Sequence, residues 1–324
     1  MHNEARPFIA KHRTSLGLPL AYIVVFVFFS IFGQNFLAID NVLSILRLMS
    51  VTGIIGIGMT MVIITGEIDL SVGSLVALSG MVFGAQVVFW HWNMLIAGAL
   101  TLCVGALNGL LVGVLRNRYK IPAFISTLAL QIVLRGLAFV IYPMSLSPYP
   151  ESFKLLANGY LGPVPSLLII LIVLYLVGYV FLFRSRHGRE IFAIGANEMA
   201  ARFAGVRVEF TRTLVFVIVG VLSSFAGILM ASNQMSSLPN IAKSYELTVI
   251  AGVIVGGASL SGGTGSLFGT FVGMLLVQTI ANGMVLMGLS SNMQFIVQGL
   301  IILIAVLINA INSLGIRGVS KDIA

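Results

Sequence analysis

Apolar runs of about twenty residues recur along this sequence with hardly a charge inside them. As helices, runs of that length cover the ~30 Å hydrocarbon core of a bilayer. In lipid the backbone must pair its own N–H and C=O groups, which leaves helices or a closed barrel. A barrel would show alternating segments of about ten residues, and these runs are continuous. Charged residues make up 9% of the chain and hydrophobic ones 58%; a water-soluble domain carries about a quarter charged. The expectation is an all-α polytopic membrane protein of about ten transmembrane helices.

Ten segments read as spans: 17–36, 45–65, 72–90, 94–115, 121–142, 164–183, 213–232, 246–257, 265–288 and 293–312. The eighth is too short to cross alone and ends in glycines. A broken or re-entrant element is therefore expected near each of the two glycine clusters described below. The first segment follows Arg6, Lys11 and Arg13, and no small-x-small cleavage site comes after it. It reads as a retained helix rather than a signal peptide.

Basic residues set the orientation. With ten crossings and the N-terminus inside, fourteen of the eighteen Lys and Arg fall on the cytoplasmic side. They are Arg6, Lys11 and Arg13; Arg116, Arg118 and Lys120; Arg184, Arg186, Arg189, Arg202, Arg207 and Arg212; and Arg317 and Lys321. Both termini are expected in the cytoplasm. The chain reads as one membrane domain, 1–324, with a cytoplasmic tail at 1–16 and a cytoplasmic loop at 184–212. The loop 143–165 holds five prolines and reads as turn-rich and external. The net charge of +8 follows from loop bias and does not call for nucleic acid. Cys103 stands alone, so no intrachain disulfide forms, and no metal cluster is visible.

Acids are scarce, only ten in 324 residues, yet two lie together in Gly66-Glu67-Ile68-Asp69-Leu70-Ser71-Val72-Gly73, between two apolar runs. Ionisable groups beside membrane spans are costly and need a role. Gly66 permits a sharp turn. Either Asp69 or Ser71 caps the next helix and Glu67 pairs with a neighbour, or these groups face a polar solute path. Glu67, Asp69, Ser71, Asn108 and Gln131 are the candidates for lining such a path. Polar residues within spans otherwise hydrogen-bond between helices, and Arg135 snorkels or pairs with a carboxylate.

A second cluster, Gly256-Gly257-Ala258-Ser259-Leu260-Ser261-Gly262-Gly263, aligns with residues 66–73 without gaps and matches at four of eight positions. It is either a repeat remnant or convergent turn chemistry. Gly105, Gly109 and Gly113 form a stripe, as do Gly265, Gly269 and Gly273; such stripes let helices approach closely. Between Gly188 and Gly205, Asn197 suits an N-cap, Glu198 a first turn, Arg202 a last turn and Gly205 a stop. A helix of about two turns is marginal alone in water, so lipid, the membrane helices or a partner protein must hold it.

Three stretches together resemble the permease subunits of bacterial ABC importers for monosaccharides, the ribose permease group. They are Gly58-Met59-Thr60-Met61-Val62-Ile63-Ile64-Thr65-Gly66-Glu67-Ile68-Asp69-Leu70-Ser71-Val72-Gly73-Ser74, the loop 195–205, and Tyr245-Glu246-Leu247 followed by 256–265. Their order, spacing and total length agree, so the resemblance covers nearly the whole chain. It implies about ten helices in a dimeric pore, pairing with a second permease copy in a bacterial inner membrane. It implies cytoplasmic ATPase subunits and an extracytoplasmic sugar-binding protein as partners. ATP would then be bound by the partner and no cofactor by this chain, which fits the absence of any G-x-x-x-x-G-K-[ST]. Residues 189–205 resemble the helix that docks on the ATPase, which assigns Gly195, Asn197, Glu198, Ala200, Ala201, Arg202 and Gly205 to coupling. The acid at Glu67 departs from the glycine often found there in ribose-type members. The competing class is a proton-driven sugar carrier with Glu67 and Asp69 as its relay. An intramembrane hydrolase is disfavoured, because no His lies within an expected span.

Overall fold

The computed structural model describes residues 5–290, 292–304 and 306–307, with side chains from residue 17 onward. Asn309, Arg317 and Lys321 lie outside the described residues. The helices are α1 (Ala5–Phe32), α2 (Ile39–Ile64), α3 (Val72–Gly84), α4 (Met94–Arg118), α5 (Ala123–Ile141), α6 (Glu151–Asn158) and α7 (Ser166–Arg184). They continue as α8 (Arg186–Ala196), α9 (Glu198–Phe203), α10 (Val208–Gln234), α11 (Tyr245–Val255), α12 (Leu267–Leu286) and α13 (Asn292–Ile304). A π-helical turn, Ala85–Phe89, extends α3.

Every expected segment coincides with a helix over its described residues. Among the described residues seven helices are long and apolar enough to cross a membrane: α2, α3 with its π turn, α4, α5, α7, α10 and α12. The apolar parts of α1 (Gly17–Phe32), α11 and α13 are shorter. The expected end of the tenth segment, 308–312, lies outside the described residues. The protein is thus a multi-pass membrane protein. The loop 143–165 is more ordered than its prolines suggest. It holds α6 and a small antiparallel ladder, β1 (Tyr160–Leu161) against β2 (Val164–Pro165). Helix α8 was not foreseen at all.

Helix α2 from Met49 onward and helix α3 are buried on nearly every face. That suits their composition, since a helix apolar all round belongs in an interior. The glycine stripes pack helices, as expected. A Cβ at Gly105 would collide with the Gly220 carbonyl of α10, one at Gly109 with the Phe216 carbonyl, and one at Gly113 with Thr213 at 2.6 Å. Helices α4 and α10 therefore run antiparallel, backbone against backbone. Gly269 and Gly273 of α12 meet the Gly256 and Gly252 carbonyls in the same way. Short hydroxyl pairs tie further helices together: Ser79 with Ser224 at 2.7 Å and Thr60 with Thr270 at 2.7 Å.

The two glycine clusters share a helix ending rather than a register. After α2, Gly66 takes φ +78°, its N–H bonds to Ile63 O, and Glu67 N–H bonds to Val62 O. After α11 it is Gly257, at φ +92°, whose N–H bonds to Ile254 O, with Ala258 N–H bonding to Val253 O. Both are Schellman endings, but they equate Gly66 with Gly257, one residue off the ungapped alignment. The same ending closes α9 at Gly205 and α12 at Gly288. Turn chemistry accounts for the similarity.

Candidate functional site

The polar residues gather in two places along α4. At its C-terminal end Arg116 Nε donates to Glu67 Oε1 at 2.6 Å. Arg212, in the first turns of α10, brings its Nε to 3.3 Å from the same oxygen. Its other arm, Nη2, donates to Glu198 Oε2 of α9 at 2.7 Å. Glu198 also accepts from Arg202 at 2.8 Å, and Arg202 donates to Glu209 at 2.6 Å. Arg212 is only 4% exposed and lies between two carboxylates. Burial alone would raise the Glu198 carboxyl; hydrogen bonds from Arg202 and Arg212 outweigh it and bring it down to about 2. One turn away, Glu190 of α8 binds Arg186, His187 and the Thr211 hydroxyl of α10. Burial raises that carboxyl too, and these hydrogen bonds again pull it below the usual range.

Helix α9 forms as its sequence suggests. The Asn197 side chain accepts from Ala200 N–H at 3.0 Å as N-cap, and Gly205 closes the end at φ +80°. Its faces divide the expected coupling residues. Ala201 is buried against Ile194 and Val208. Glu198 and Arg202 pair within the chain. The outward apolar face is Met199, 68% exposed, and Phe203, 87% exposed, beside Ala200. Sequence reading missed Met199 and Phe203; their i, i+4 spacing was the available signal. Gly195, near the end of α8, touches the membrane helices directly. A Cβ there would strike the Ile64 carbonyl at the end of α2 and the Gly263 N–H, which themselves hydrogen-bond at 2.8 Å.

The second place lies about two turns up α4 from Arg116, at Asn108. Asn108 Nδ2 donates to Ser71 Oγ at 3.2 Å, and Ser71 Oγ donates to Asp69 Oδ1 at 2.6 Å. Asp69 Oδ1 also accepts Ser71 N–H at 2.8 Å. Asp69 is 1% exposed. Its Oδ2 and Asn108 Oδ1 are buried and accept no hydrogen bond among the described residues. Ser71 makes no side-chain capping bond to α3, whereas Asp69 Oδ1, by accepting Ser71 N–H, takes up a donor just ahead of that helix. Ser71 is already helical at φ −79°, ψ −13°, and its hydroxyl is engaged by Asp69. Residues 67–71 are neither helix nor strand and link the two places, with Leu70 N–H bonding to Thr127 Oγ1 of α5.

The five expected path residues therefore separate into three groups. Asp69, Ser71 and Asn108 form one chain of hydrogen bonds. Gln131 belongs elsewhere, donating to Glu246 Oε1 of α11 at 2.7 Å. Glu67 faces the α8–α9 end. Glu67 and Asp69 share no hydrogen bond among the described residues: Glu67 turns to two arginines and Asp69 to Ser71. Arg135 donates to the Pro239 and Ile241 carbonyls at 2.8 and 2.7 Å.

A continuous match to known permeases extends over the elements that build both places. Residues 41–306 match the family described as branched-chain amino acid transport system / permease component. The chain belongs to this family. It is similar to the ribose import permease protein RbsC of Escherichia coli K12, 38% identical over 297 residues, covering 90% of this chain and 92% of the relative. It is also similar to the L-arabinose transport system permease protein AraH of the same strain, 35% identical over 295 residues, covering 90% and 89%. The xylose transport system permease protein XylH of Haemophilus influenzae is 29% identical over 356 residues, covering 90% and 95%. No solved structure matches the chain.

Proposed function

We propose that this chain is the transmembrane permease subunit of an ATP-binding cassette importer that carries a monosaccharide across the bacterial inner membrane. Its whole length forms one membrane domain of about ten helices, with both termini in the cytoplasm. It does no covalent chemistry; separate cytoplasmic ATPase subunits hydrolyse ATP, an extracytoplasmic binding protein delivers the sugar, and a second permease copy completes the pore. The observation that carries this reading is the identity to RbsC along nine-tenths of the chain. Helix α9 supports it, because a capped helix of six residues presents two large apolar side chains that nothing among the described residues covers. Burying Phe203 in a partner's cleft stabilises the contact by about 2 kcal/mol. The chain of Asp69, Ser71 and Asn108 supplies buried acceptor oxygens suited to a solute rich in hydroxyl groups.

The test reconstitutes the permease with its ATPase and binding protein in liposomes. Uptake should need ATP and should persist with a protonophore present. Phe203→Glu should weaken capture of the ATPase at least tenfold while the permease still inserts. Uptake without an ATPase, or capture unaltered by Phe203→Glu, overturns the reading or its docking face respectively.

A further inference from the structure

Glu67 lies in the linker that leads to the buried acceptors, yet its partners belong to the ionic group at the α8–α9 side. Arg212 lies between Glu67 and Glu198 of α9: its Nε stands 3.3 Å from Glu67 as an ion-pair contact without a hydrogen bond, and its Nη2 donates to Glu198 at 2.7 Å. Arg116 closes the group at 2.6 Å from Glu67. The guanidinium is planar and rigid, so its two arms cannot follow the two carboxylates independently. With Arg212 4% and Glu67 10% exposed, water offers little competition for this ion pair. From Glu67 the chain passes four residues on to Ser71, whose hydroxyl joins Asp69 to Asn108. The linker is tethered between these points by Leu70 N–H on Thr127.

We propose that Glu67 is a positioning residue for transport: through Arg212 it ties the displacement of α9 to the Asp69–Ser71–Asn108 group, and so sets whether those acceptors are presented to the solute. This rests on the docking role of α9. When the ATPase moves α9, Glu198 draws Arg212, Arg212 draws Glu67, and the linker shifts against α4 and α5. The direct contact of Gly195 with Ile64 moves the end of α2 in parallel. The ionic route differs from it in reaching residues 67–71, and it depends on charge.

The experiment uses the complete importer in liposomes and reads ATP hydrolysed per sugar carried. Glu67→Gln should raise that ratio at least fivefold, and Glu67→Asp should recover most of the loss. Glu198→Gln should give a similar rise, and the double variant Glu67→Gln/Glu198→Gln should be no worse than the more affected single one, since both cut one chain. Arg212→Lys keeps the charge and loses the two-armed geometry, so it should behave like Glu67→Gln; it also answers the question if Glu67→Gln fails to insert. An unchanged ratio in Glu67→Gln or Arg212→Lys overturns the proposal. So do multiplicative losses in the double variant, or a Glu67→Asp no better than Glu67→Gln. Cross-linking from Ala200→Cys to the ATPase separates the two levels of failure. If the cross-link never forms, the docking role of α9 is lost; if it forms and the ratio stays normal, only the relay is lost.

Discussion

Two polar groups sit about two turns apart on α4 and are built on opposite principles. At Arg116 the carboxylates of Glu67, Glu198 and Glu209 each meet a guanidinium. At Asn108 no cation pairs with the group among the described residues; a carboxylate, a hydroxyl and an amide pass hydrogen bonds along, and two buried oxygens accept nothing from those residues. Removing one partner from a buried ion pair costs far more than an exposed pair contributes, so Arg212 with Glu67 is the part of the first group held in fixed relation, while the exposed Arg202–Glu209 pair adds little. An orphaned buried acceptor costs about 1–3 kcal/mol, a standing cost that a donor from solute would remove. The same helix thus carries one group suited to transmitting a displacement and another suited to receiving a hydroxyl.

The sharpest break in that comparison is mechanical rather than ionic. Gly195 allows α8 to lie against the end of α2, where any side chain would collide with the Ile64 carbonyl and the Gly263 N–H. Both obstacles are backbone and cannot swing aside. Gly195→Val should cost about 3 kcal/mol locally and reduce ATP-driven uptake at least a hundredfold. Permease that inserts normally, captures the ATPase and still transports at more than a tenth of the usual rate would show that this junction need not be close.

A smaller effect distinguishes receiving from holding at the second group. Asp69→Asn keeps an oxygen for Ser71 and turns the orphaned Oδ2 position into a donor. If Oδ2 takes a hydroxyl from the solute, uptake should fall about tenfold, one lost charged hydrogen bond, with expression unaltered. If Asp69 serves only the linker, Asp69→Asn should transport normally, while Asp69→Ala loses expression and uptake together. Measuring both variants for membrane yield and initial uptake rate decides between them.

The sequence made some of this legible and hid the rest for physical reasons. Continuous apolar runs announced every helix that crosses, because lipid imposes length and composition on them. Asn197 and Gly205 announced α9, because caps are local chemistry. Helix α8 was hidden: Arg186-His187-Gly188-Arg189 reads as loop, and what secures it is Glu190 reaching Thr211 on another helix. The partners of Glu67 were hidden for the same reason, since Arg116 lies 49 residues away and Arg212 farther still. The likeness of the glycine clusters left two readings open because an ungapped alignment compares letters, while the shared feature is a helix ending displaced by one residue.

The least effect expected is that of pH on the first group, and its smallness is informative. The Glu198 carboxyl sits at about 2 in the folded protein against an ordinary 4.5. A carboxyl lowered on folding contributes stability that is fully present above its unfolded value and fades as pH falls through its folded one. Between about pH 5 and 8 the contact of α9 with Arg212 should therefore not change. Weakening should begin only below about 4.5 and be complete near 2. Carbon-13 titration of the glutamate carboxyls in detergent, with Glu198 assigned by its loss in Glu198→Gln, should place its midpoint well below the others. Arg212→Leu should move that midpoint up toward 4.5, because one of its two stabilising guanidinium groups is gone. A midpoint already near 4.5 in the unaltered protein would mean that Arg212 does not hold Glu198 in solution.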